Sequence, residues 1–547
     1  MISHKYITKI VGAMAAAAVA LCFLAMLFSQ KMVETLGGNV VALQYPAKLF
    51  DTDTPIEIDI RMAEGEWEDM LENAMAEEYY ACDVVVNGEK IDHVGIRPKG
   101  NTSLSSIAMD PDTDRFSLKL EFDHYEEGQT CFGLDKLILN NNYADATNMK
   151  EALVYDMYQY LGADASLYNY AKISVNGEYR GVYLALEAVE ESFLLRNFGT
   201  KDGKLYKPDS MQMGGGSGGR DFGGRPPQDK EGADFADREP PGERGENPGG
   251  EFPDTGNQKP PDMGKMPGGG NGANLNYTDD DLDSYSDIWE GEVTDTGTKD
   301  RRKVVTALKN IDAGTELETY LDVDNILKYM AVHIFCVNLD SLSGNMAHNY
   351  YLYEQDGMLN MFPWDYNLSF GGMNMGAESG ASETVNDAID TPFQGTEFFD
   401  ALLENETYLS EYHEYLRKLS EEYVDDGRFE EVYRRIRGLI DGLVETDPTA
   451  LYSYEEYEAG AQMLYRTVLL RAESIRGQLN GVIPSTDEGQ KADGVMLVDA
   501  SEIDIEVMGV MRGKGGPERA NQHGSRQYGR RAAKSVEKNE GLGYTEQ

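Results

Sequence analysis

A long segment with few apolar side chains divides this chain into two parts. Between Met211 and Asn276 the sequence is dominated by glycine, proline and charged residues. Such a composition buries too little apolar surface to offset the entropy that is lost on ordering. We therefore expect a disordered insertion over 211–276. The 547-residue chain must build its cores from the parts before and after this insertion.

The part before the insertion, 41–210, has the periodicity of strands. Asn87-Gly88 and Asn176-Gly177 each lie between short β-prone runs, as in hairpins with two-residue turns. Apolar and polar residues alternate from Phe116 to Phe122, which predicts a half-buried strand with Lys119 on its polar face. A helix is predicted from Asn148 to Leu161, because apolar residues recur there every four positions.

The part after the insertion, 277–484, is predicted to be mostly helical. It contains an apolar helix over 323–337, a hairpin over 350–362 and about three further helices between Phe398 and Asn480. Strands followed by a linker and then helices predict an α+β fold with two unequal lobes. The tail, 485–547, has little pattern, and we expect low order there.

The N-terminal part, 1–40, suggests a membrane anchor. Lys5 and Lys9 precede an apolar run from Ile10 to Phe28, which at 1.5 Å per residue spans roughly one bilayer core. No clean small-x-small cleavage site follows, which favours an uncleaved transmembrane helix over a signal peptide. We expect a single-pass membrane protein with its N-terminus inside and most of the chain extracytoplasmic.

Charge and cysteine content exclude several classes of function. The chain has 96 acidic and 49 basic residues, a net charge of −47. A nucleic-acid-binding protein needs a basic surface, so that class is excluded. An acidic surface suits basic partners or serves solubility alone. The four cysteines form no CxxC pair, so neither a disulfide framework nor a zinc site is indicated.

Asp340, Asn345 and Asp365 follow one another in an order that suits phosphoryl transfer. Asp340 and Asn345 form a D-x-x-x-x-N pattern, and the hairpin that follows leads to Asp365. In protein kinases this spacing places a catalytic acid and a metal-binding amide on one loop, and a second aspartate binds the metal. The alternative is that Asp340 and Asp365 cap or begin turns.

Residues of the strand-rich part could bind ATP. Lys119 and Glu151 could form the ion pair that holds the phosphates in kinases. The loop Lys99–Ser103, which includes Asn101, could cradle phosphate with backbone N–H groups. Glu187 comes just after the second hairpin, at the position where the hinge of a kinase contacts adenine. The alternatives are a solvent-facing Lys119, a capping box that Glu151 completes and an ordinary turn at the loop.

Four blocks of the sequence resemble those of the spore coat protein H (CotH) family of kinase-like proteins. The resemblance covers roughly Ile56 to Leu479 apart from the insertion. It implies a divergent two-lobed protein-kinase-like fold and an atypical ATP-dependent kinase of Ser or Thr residues. The blocks are Arg97–Ser103, Asn176–Tyr183, His348–Tyr353 and Pro363–Leu368.

The resemblance also implies roles for single residues. Asp340 would be the catalytic-loop acid, Asp365 the metal ligand with Asn345 or Asn349 as its amide partner, and Lys119 a phosphate ligand. ATP and Mg²⁺ or Mn²⁺ are the implied cofactors. Three features of ordinary kinases are missing, namely His-Arg before Asp340, Phe-Gly after Asp365 and the Gly-rich loop.

The expected substrate is a surface, envelope or spore coat protein, and the acidic charge suits one that is basic and rich in serine. Two other functions stay open on the same scaffold. The first is a non-catalytic surface adhesin or binding module. The second is a different transfer, either of AMP or of phosphate to a small molecule. The mass of the product separates these alternatives.

Overall fold

The computed structural model describes residues 43–210, 271–344, 346–374, 380–391, 393–492 and 495–512. In this part of the chain the strands are β1 Ile56–Arg61, β2 Tyr80–Val86, β3 Glu89–Lys99, β4 Ser117–Glu121, β5 Lys136–Asn140, β6 Tyr168–Val175, β7 Glu178–Glu187, β8 Lys204–Tyr206, β9 Tyr350–Gln355, β10 Met358–Pro363, β11 Met373–Asn374 and β12 Met511–Arg512.

The helices of the same residues range from single turns to seven turns. They are α1 Tyr45–Leu49, α2 Glu66–Glu72, α3 Thr102–Met109, α4 Lys150–Leu161, α5 Glu191–Phe198, α6 Ser286–Trp289, α7 Thr298–Asp312, α8 Leu317–Tyr320, α9 Val323–Cys336, α10 Ala381–Asn386, α11 Asp400–Leu403, α12 Glu406–Arg417, α13 Arg428–Glu445, α14 Tyr454–Leu479 and α15 Asp487–Gln490.

Seven strands form a closed barrel in the order β1-β2-β3-β4-β5-β7-β6. The two hairpins predicted from Asn-Gly pairs are present as β2–β3 and β6–β7. Asn87 and Gly88 both have positive φ angles, 48° and 84°, as the right-handed twist of a two-residue hairpin requires. Alternate residues of the strands fill the barrel interior, among them Ile58, Val84 and Leu118.

The prediction of an α+β, divergent two-lobed kinase-like fold with an N-terminal transmembrane helix is wrong. The sheet closes because β1 pairs in parallel with β6, from Ile56 opposite Ala171 to Ile60 opposite Val175. Residue periodicity identifies strands, but it carries no local signal for a parallel pairing between strands more than a hundred residues apart.

Among the residues that the structure describes, none of the helices combines the length and the apolar character needed to cross a membrane. The predicted localisation as a single-pass membrane protein is therefore also wrong. The run from Ile10 to Phe28, which suggested the anchor, lies outside the described residues, as do 211–270 of the expected insertion and 513–547 of the tail.

Helix α4 lies at the centre of the molecule. It packs on β6 of the barrel on one side and on α9 and α13 of the helical part on the other. All its residues from Lys150 to Tyr158 are buried, as expected for a helix that is surrounded by protein. Glu151 therefore lies at the junction between the barrel and the helical part.

Two long-range contacts shape the segment around Asp340 and Asp365. The fully buried Arg471 of α14 donates hydrogen bonds to the carbonyl oxygens of Ile334 and Phe335 at 2.8 and 3.2 Å. These carbonyls belong to the last turn of α9, where a helix lacks internal donors. Strand β8 pairs with β9 and so places the chain after Tyr206 beside the hairpin that leads to Asp365.

Residues 495–512 return from the end of α14 to this junction. Ala146 N donates to Met508 O at 3.1 Å, Lys150 Nζ donates to Gly509 O at 2.8 Å, and Met511 N donates to Gly372 O at 2.8 Å. The side chains of Ile503, Ile505 and Met508 are buried. This segment contacts both the start of α4 and the chain that follows Asp365.

Candidate functional site

Charged and amide side chains meet where β3, α4, the loop after α9 and the hairpin β9–β10 come together. Asp340 lies in the loop that follows α9, and Asp365 lies two residues beyond the end of β10. The charges of Lys99 and Asp340 act on Asp365, and the charge of Asp365 acts on Glu151. The structure thus brings together four residues that the sequence suggested separately.

Side chains from the start of the hairpin hold the Asp340 carboxylate. His348 Nε2 lies 2.8 Å from Asp340 Oδ1. Asn349 Nδ2 donates to Asp340 Oδ2 at 3.0 Å and to Asp340 O at 2.8 Å. Burial alone lowers the pKa of His348, but its contacts with Asp209 and Asp340 outweigh burial and raise that pKa to about 9. The imidazole is therefore a cation at neutral pH.

Glu151 is buried and does not complete a capping box. Helix α4 begins after Met149, and no side chain caps its N-terminus. Glu151 Oε2 instead accepts a hydrogen bond from Asn140 Nδ2 at 2.9 Å, and Oε1 accepts one from Tyr366 N at 3.4 Å. The Glu151 carboxyl therefore connects barrel strand β5 to the residue after Asp365.

Two buried carboxyl groups, Glu151 and Asp365, lie at the centre of the site. Burial raises the pKa of Glu151 to about 8, and the charge of Asp365 adds to this effect. Burial also raises the pKa of Asp365, although Lys99 opposes this. Two carboxyl groups that each disfavour ionisation of the other are typical of functional sites.

Two lysines flank the carboxyl groups around a single tryptophan. The Nζ atoms of Lys99 and Lys207 each lie 5.5 Å from the ring centroid of Trp364, within the range of cation–π contacts. Lys99 Nζ also donates to Asn140 Oδ1 at 3.3 Å. The charges of both lysines lower the pKa of Asp365.

A strand-to-helix turn follows Lys99. Gly100 has a φ angle of 133°, and a Cβ atom there would lie 2.8 Å from Ser103 Oγ, so this turn requires glycine. Helix α3 then begins, and its Leu104 belongs to the same apolar cluster as Leu339 and Leu368. Asn101 is exposed at the N-cap position and makes no side-chain cap. The free N–H groups of such a helix start favour anions.

Lys119 and Glu187, predicted to bind ATP, form ion pairs of their own. Lys119 Nζ lies 2.8 Å from Glu190 Oε1. Lys119 of β4 lies opposite Arg97 of β3, and Arg97 is on the same face of β3 as Lys99. Lys119 and Lys99 therefore share one face of the sheet. Glu187 lies opposite Leu137 on the other face and binds Arg196 with a shortest N–O distance of 2.6 Å.

Three residues of the site were not predicted from the sequence, namely Lys207, Asp209 and His348. Lys207 and Asp209 follow the three-residue strand β8 and directly precede the Gly/Pro-rich segment, so no periodicity marks them. His348 stands inside a sequence block that carries the family resemblance, but spacing alone gives it no role. Asn345, the predicted amide ligand on the Asp340 loop, lies outside the described residues.

Left-handed backbone conformations cluster around the site. Val337, Asn349, Asp365 and Phe370 all have positive φ angles, between 48° and 61°. This conformation is unfavourable for side chains other than glycine, and most of all for a β-branched residue such as Val337. Contacts with the rest of the protein must hold these residues in place, and such strain is typical of functional sites.

The donor set suits a hard divalent cation that also binds phosphate. No cluster of three or more His, Cys, Asp or Glu side chains able to hold a metal exists in the described residues. Mg²⁺, however, uses one or two carboxylates and completes its shell with phosphate and water. Asp365 and the amide oxygen of Asn349 are groups of this kind.

The fold and the site together define a protein in which a closed seven-stranded barrel packs against a helical part, with a charged site at their junction. The family model described as CotH kinase protein matches residues 96–475. The chain therefore belongs to the CotH kinase protein family.

A curated relative supports this assignment at low identity. The chain is 21% identical over 257 residues to the inner spore coat protein H of Bacillus subtilis (strain 168). The match covers 45% of this chain and 53% of the relative. The chain thus spans about half the length of this relative.

Proposed function

We propose that this chain is an atypical protein kinase that transfers the γ-phosphate of ATP to a Ser or Thr hydroxyl. The observation that supports the proposal best is the burial of Glu151 beside Asp365, which raises the pKa of Glu151 to about 8. Two adjacent carboxyl groups in a buried site form a locus for a divalent cation. The neighbouring Lys99 and Lys207 suit the phosphates that such a cation accompanies.

In this proposal Asp365 and the Asn349 amide oxygen hold Mg²⁺ or Mn²⁺. The bound cation would neutralise phosphate charge during transfer. Lys99 and Lys207 bind phosphate oxygens from the two sides of the site, and the N–H groups at the start of α3 add to the positive potential. The ring of Trp364, 5.5 Å from both ammonium groups, is a shared cation–π partner of the two lysines.

Asp340 accepts the proton of the acceptor hydroxyl. The hydroxyl oxygen forms a new bond to the γ-phosphorus while the bond from that phosphorus to the bridging oxygen of ADP breaks, so ADP leaves with the electron pair. The contacts from His348 and Asn349 occupy one lone pair on each Asp340 oxygen, and each oxygen has a second one. These two side chains therefore orient the carboxylate without blocking it.

A basic, serine-rich segment of a surface, envelope or spore coat protein is the proposed substrate. The net charge of −47 favours encounter with a basic chain. The description of the matched relative as an inner spore coat protein supports a coat protein as the physiological acceptor.

The test uses the full chain with ATP, Mg²⁺ or Mn²⁺ and a basic Ser-rich peptide, and it records intact mass. Asp365→Asn is the test variant. Asp390→Asn is the control, because it neutralises a carboxylate outside the proposed site, one that lies 2.7 Å from His413 Nε2 through its Oδ1. The proposal expects a gain of one phosphate mass for the wild type and for the control, and none for Asp365→Asn.

Other results would change the conclusion. A gain of AMP mass would support the proposed nucleotide site, but it would show that AMP and not phosphate is transferred. Phosphate gain that survives in Asp365→Asn would remove that residue from the machinery. If neither ATP binding nor any mass gain occurs, a non-catalytic binding module becomes the better account.

A further inference from the structure

A buried histidine connects the two loops of the site. His333 of α9 is fully buried and uses both ring nitrogens. Nε2 lies 2.8 Å from Ser343 Oγ in the Asp340 loop, and Nδ1 lies 2.9 Å from Tyr366 OH, next to Asp365. This one side chain therefore contacts both segments that carry the acidic groups.

The hydrogen-bond geometry selects one tautomer of the ring. Ser343 Oγ donates to Asn338 O at 2.6 Å, so its proton is committed and it accepts from His333 Nε2–H. Nδ1 then accepts from Tyr366 OH, and Tyr366 OH accepts from Tyr158 OH at 2.6 Å. If Tyr366 OH instead donated to Tyr158 OH, the Tyr158 hydroxyl could donate only to Tyr329 O, 3.5 Å away. That distance is too long for a good hydrogen bond.

The surroundings keep the ring neutral and in a fixed orientation. Tyr329 and Phe393 lie parallel to the imidazole, with ring centroids 5.3 and 5.8 Å from it and interplanar angles of 15°. Burial lowers the pKa of His333 to about 3, so the ring does not gain a proton at physiological pH. A neutral ring with one donor and one acceptor can bridge two hydroxyl groups permanently.

The loops on either side need such a bridge. Val337 and Asp365 are held in left-handed conformations that their side chains disfavour. The local chain therefore does not determine where Asp340 and Asp365 lie relative to each other. A bridge that joins Ser343 to Tyr366 fixes that relation, because each partner lies within three residues of one of the two carboxyl groups.

We propose that His333 is a positioning residue that fixes the Asp340 loop relative to Asp365 through the chain Tyr158–Tyr366–His333–Ser343–Asn338. This inference rests on the proposed phosphoryl transfer for its effect on rate. It does not rest on that function for its effect on the two loops, which can be measured without any turnover.

The experiment compares the full-length wild type with His333→Phe, Ser343→Ala and Tyr366→Phe. Phenylalanine keeps the stacking of the ring but removes both hydrogen bonds, and the other two variants each remove one hydroxyl group. Hydrogen exchange followed by mass spectrometry reports on peptides that cover 338–344 and 364–370. We expect His333→Phe to accelerate exchange in both peptides.

Kinetics give the second readout. We expect each single-hydroxyl variant to lower kcat about 10-fold and to change the KM for ATP less than about 3-fold, since small displacements of reacting groups reduce rate more than binding. In the double variant Ser343→Ala/Tyr366→Phe, kcat should fall no more than about 30-fold below the wild-type value. Both changes break the same bridge, so their effects are not additive.

Several results would overturn the inference. Unchanged exchange in both loops of a folded His333→Phe would show that the ring does not hold them. Fully additive effects of about 100-fold in the double variant would show two independent defects. If His333→Phe fails to fold, the single-hydroxyl variants still decide. A wild type that transfers no phosphate would reject the proposed function, and the exchange data would then decide the inference alone.

Discussion

His348 Nε2 lies 2.8 Å from Asp340 Oδ1, and the Nδ1 atom of the same ring faces Asp209 Oδ1 at 3.8 Å. The imidazole thus lies between two carboxylates from distant parts of the chain, one just before the Gly/Pro-rich segment and one after α9. It also carries a positive charge that lowers the pKa of Asp365. A change at His348 should therefore affect both the orientation of Asp340 and the charge balance of the site.

We expect His348→Asn to lower kcat for phosphoryl transfer at least about 10-fold, because Asp340 loses one of the two side chains that orient it. The matched control is His413→Asn, whose ring also contacts a carboxylate, Asp390 at 2.7 Å, and lies outside the proposed machinery. The control should stay within about 2-fold of the wild type. Equal losses in both variants would indicate a general effect of removing a His–Asp pair.

The same contact predicts a pH dependence of stability. The pKa of His348 rises from 6.5 in the unfolded chain to about 9 in the folded protein, so the folded state binds the proton more tightly. Its contribution, up to about 3 kcal/mol, is present in full below pH 6.5 and is lost as the pH rises through 9. Urea unfolding of wild type and His348→Asn should show a stability difference that is largest near pH 6. A difference that grows towards pH 9.5 would contradict this sign.

Replacement of Glu151 should separate stability from activity. The raised pKa of Glu151, about 8, means that ionisation of this carboxyl group destabilises the folded state as the pH rises from about 4.5 to 8. Glu151→Gln removes the charge and keeps an acceptor for Asn140. We expect the unfolding temperature at pH 8 to rise by about 2 to 4 °C, with little change at pH 4.5, while kcat falls. Calorimetry at the two pH values measures this, and a lower unfolding temperature at pH 8 would contradict it.

The structure distinguishes two lysines that share one sheet face. Lys99 lies in the acidic cluster, whereas Lys119 is paired with Glu190. We expect Lys99→Met to raise the KM for ATP about 10-fold or more with a small change in stability. Lys119→Met should instead lower stability, by about 1 to 3 kcal/mol, because Glu190 stays buried with Lys136 as its remaining cation. Nucleotide binding and urea unfolding of both variants test this. If Lys119→Met raised the KM and Lys99→Met lowered stability, Lys119 and not Lys99 would be the phosphate ligand.

Sequence periodicity was sufficient for the individual elements of the fold. The Asn-Gly hairpins, the alternation from Phe116 to Phe122 and the helix that ends at Leu161 all have local causes, and the structure contains each of them. Closure of the barrel has no such cause, because it depends on the pairing of Ile56–Ile60 with residues more than a hundred positions away. This topology does not fulfil the expectation of kinase-like lobes, and among the described residues no helix meets the expectation of a membrane span.

The site was predictable to a smaller extent. The spacing of Asp340 and Asp365 singled out two carboxyl groups that the structure places in one electrostatic cluster. Periodicity places Lys99 and Lys119 on the same sheet face, so it does not show which of them lies near the carboxyl groups. That depends on where α4, the helix of Glu151, packs. Lys207 and Asp209 reach the site through the pairing of β8 with β9, a long-range contact that a single sequence does not encode in any local pattern.

A buried ion pair outside the proposed machinery provides the last prediction. Arg115 NH1 lies 2.8 Å from Asp447 Oδ2, and both side chains are 2% exposed. Asp447 Oδ2 also accepts a hydrogen bond from Val182 N at 3.0 Å, so the pair joins the barrel to the end of α13. Removal of one partner leaves an uncompensated buried charge, which costs about 3 to 5 kcal/mol.

We therefore expect Arg115→Met to lower the free energy of unfolding by about that amount, without a change in the KM for ATP at temperatures where the protein stays folded. The double variant Arg115→Met/Asp447→Leu should recover part of the loss, because an apolar pair removes the unpaired charge. The exposed pair of Arg61 and Asp59, at 51% and 24% side-chain exposure, is the control, and Arg61→Met should change stability by less than about 1 kcal/mol. If the double variant is less stable than Arg115→Met, the contacts of Asp447 with the barrel backbone, and not its charge, hold the two parts together.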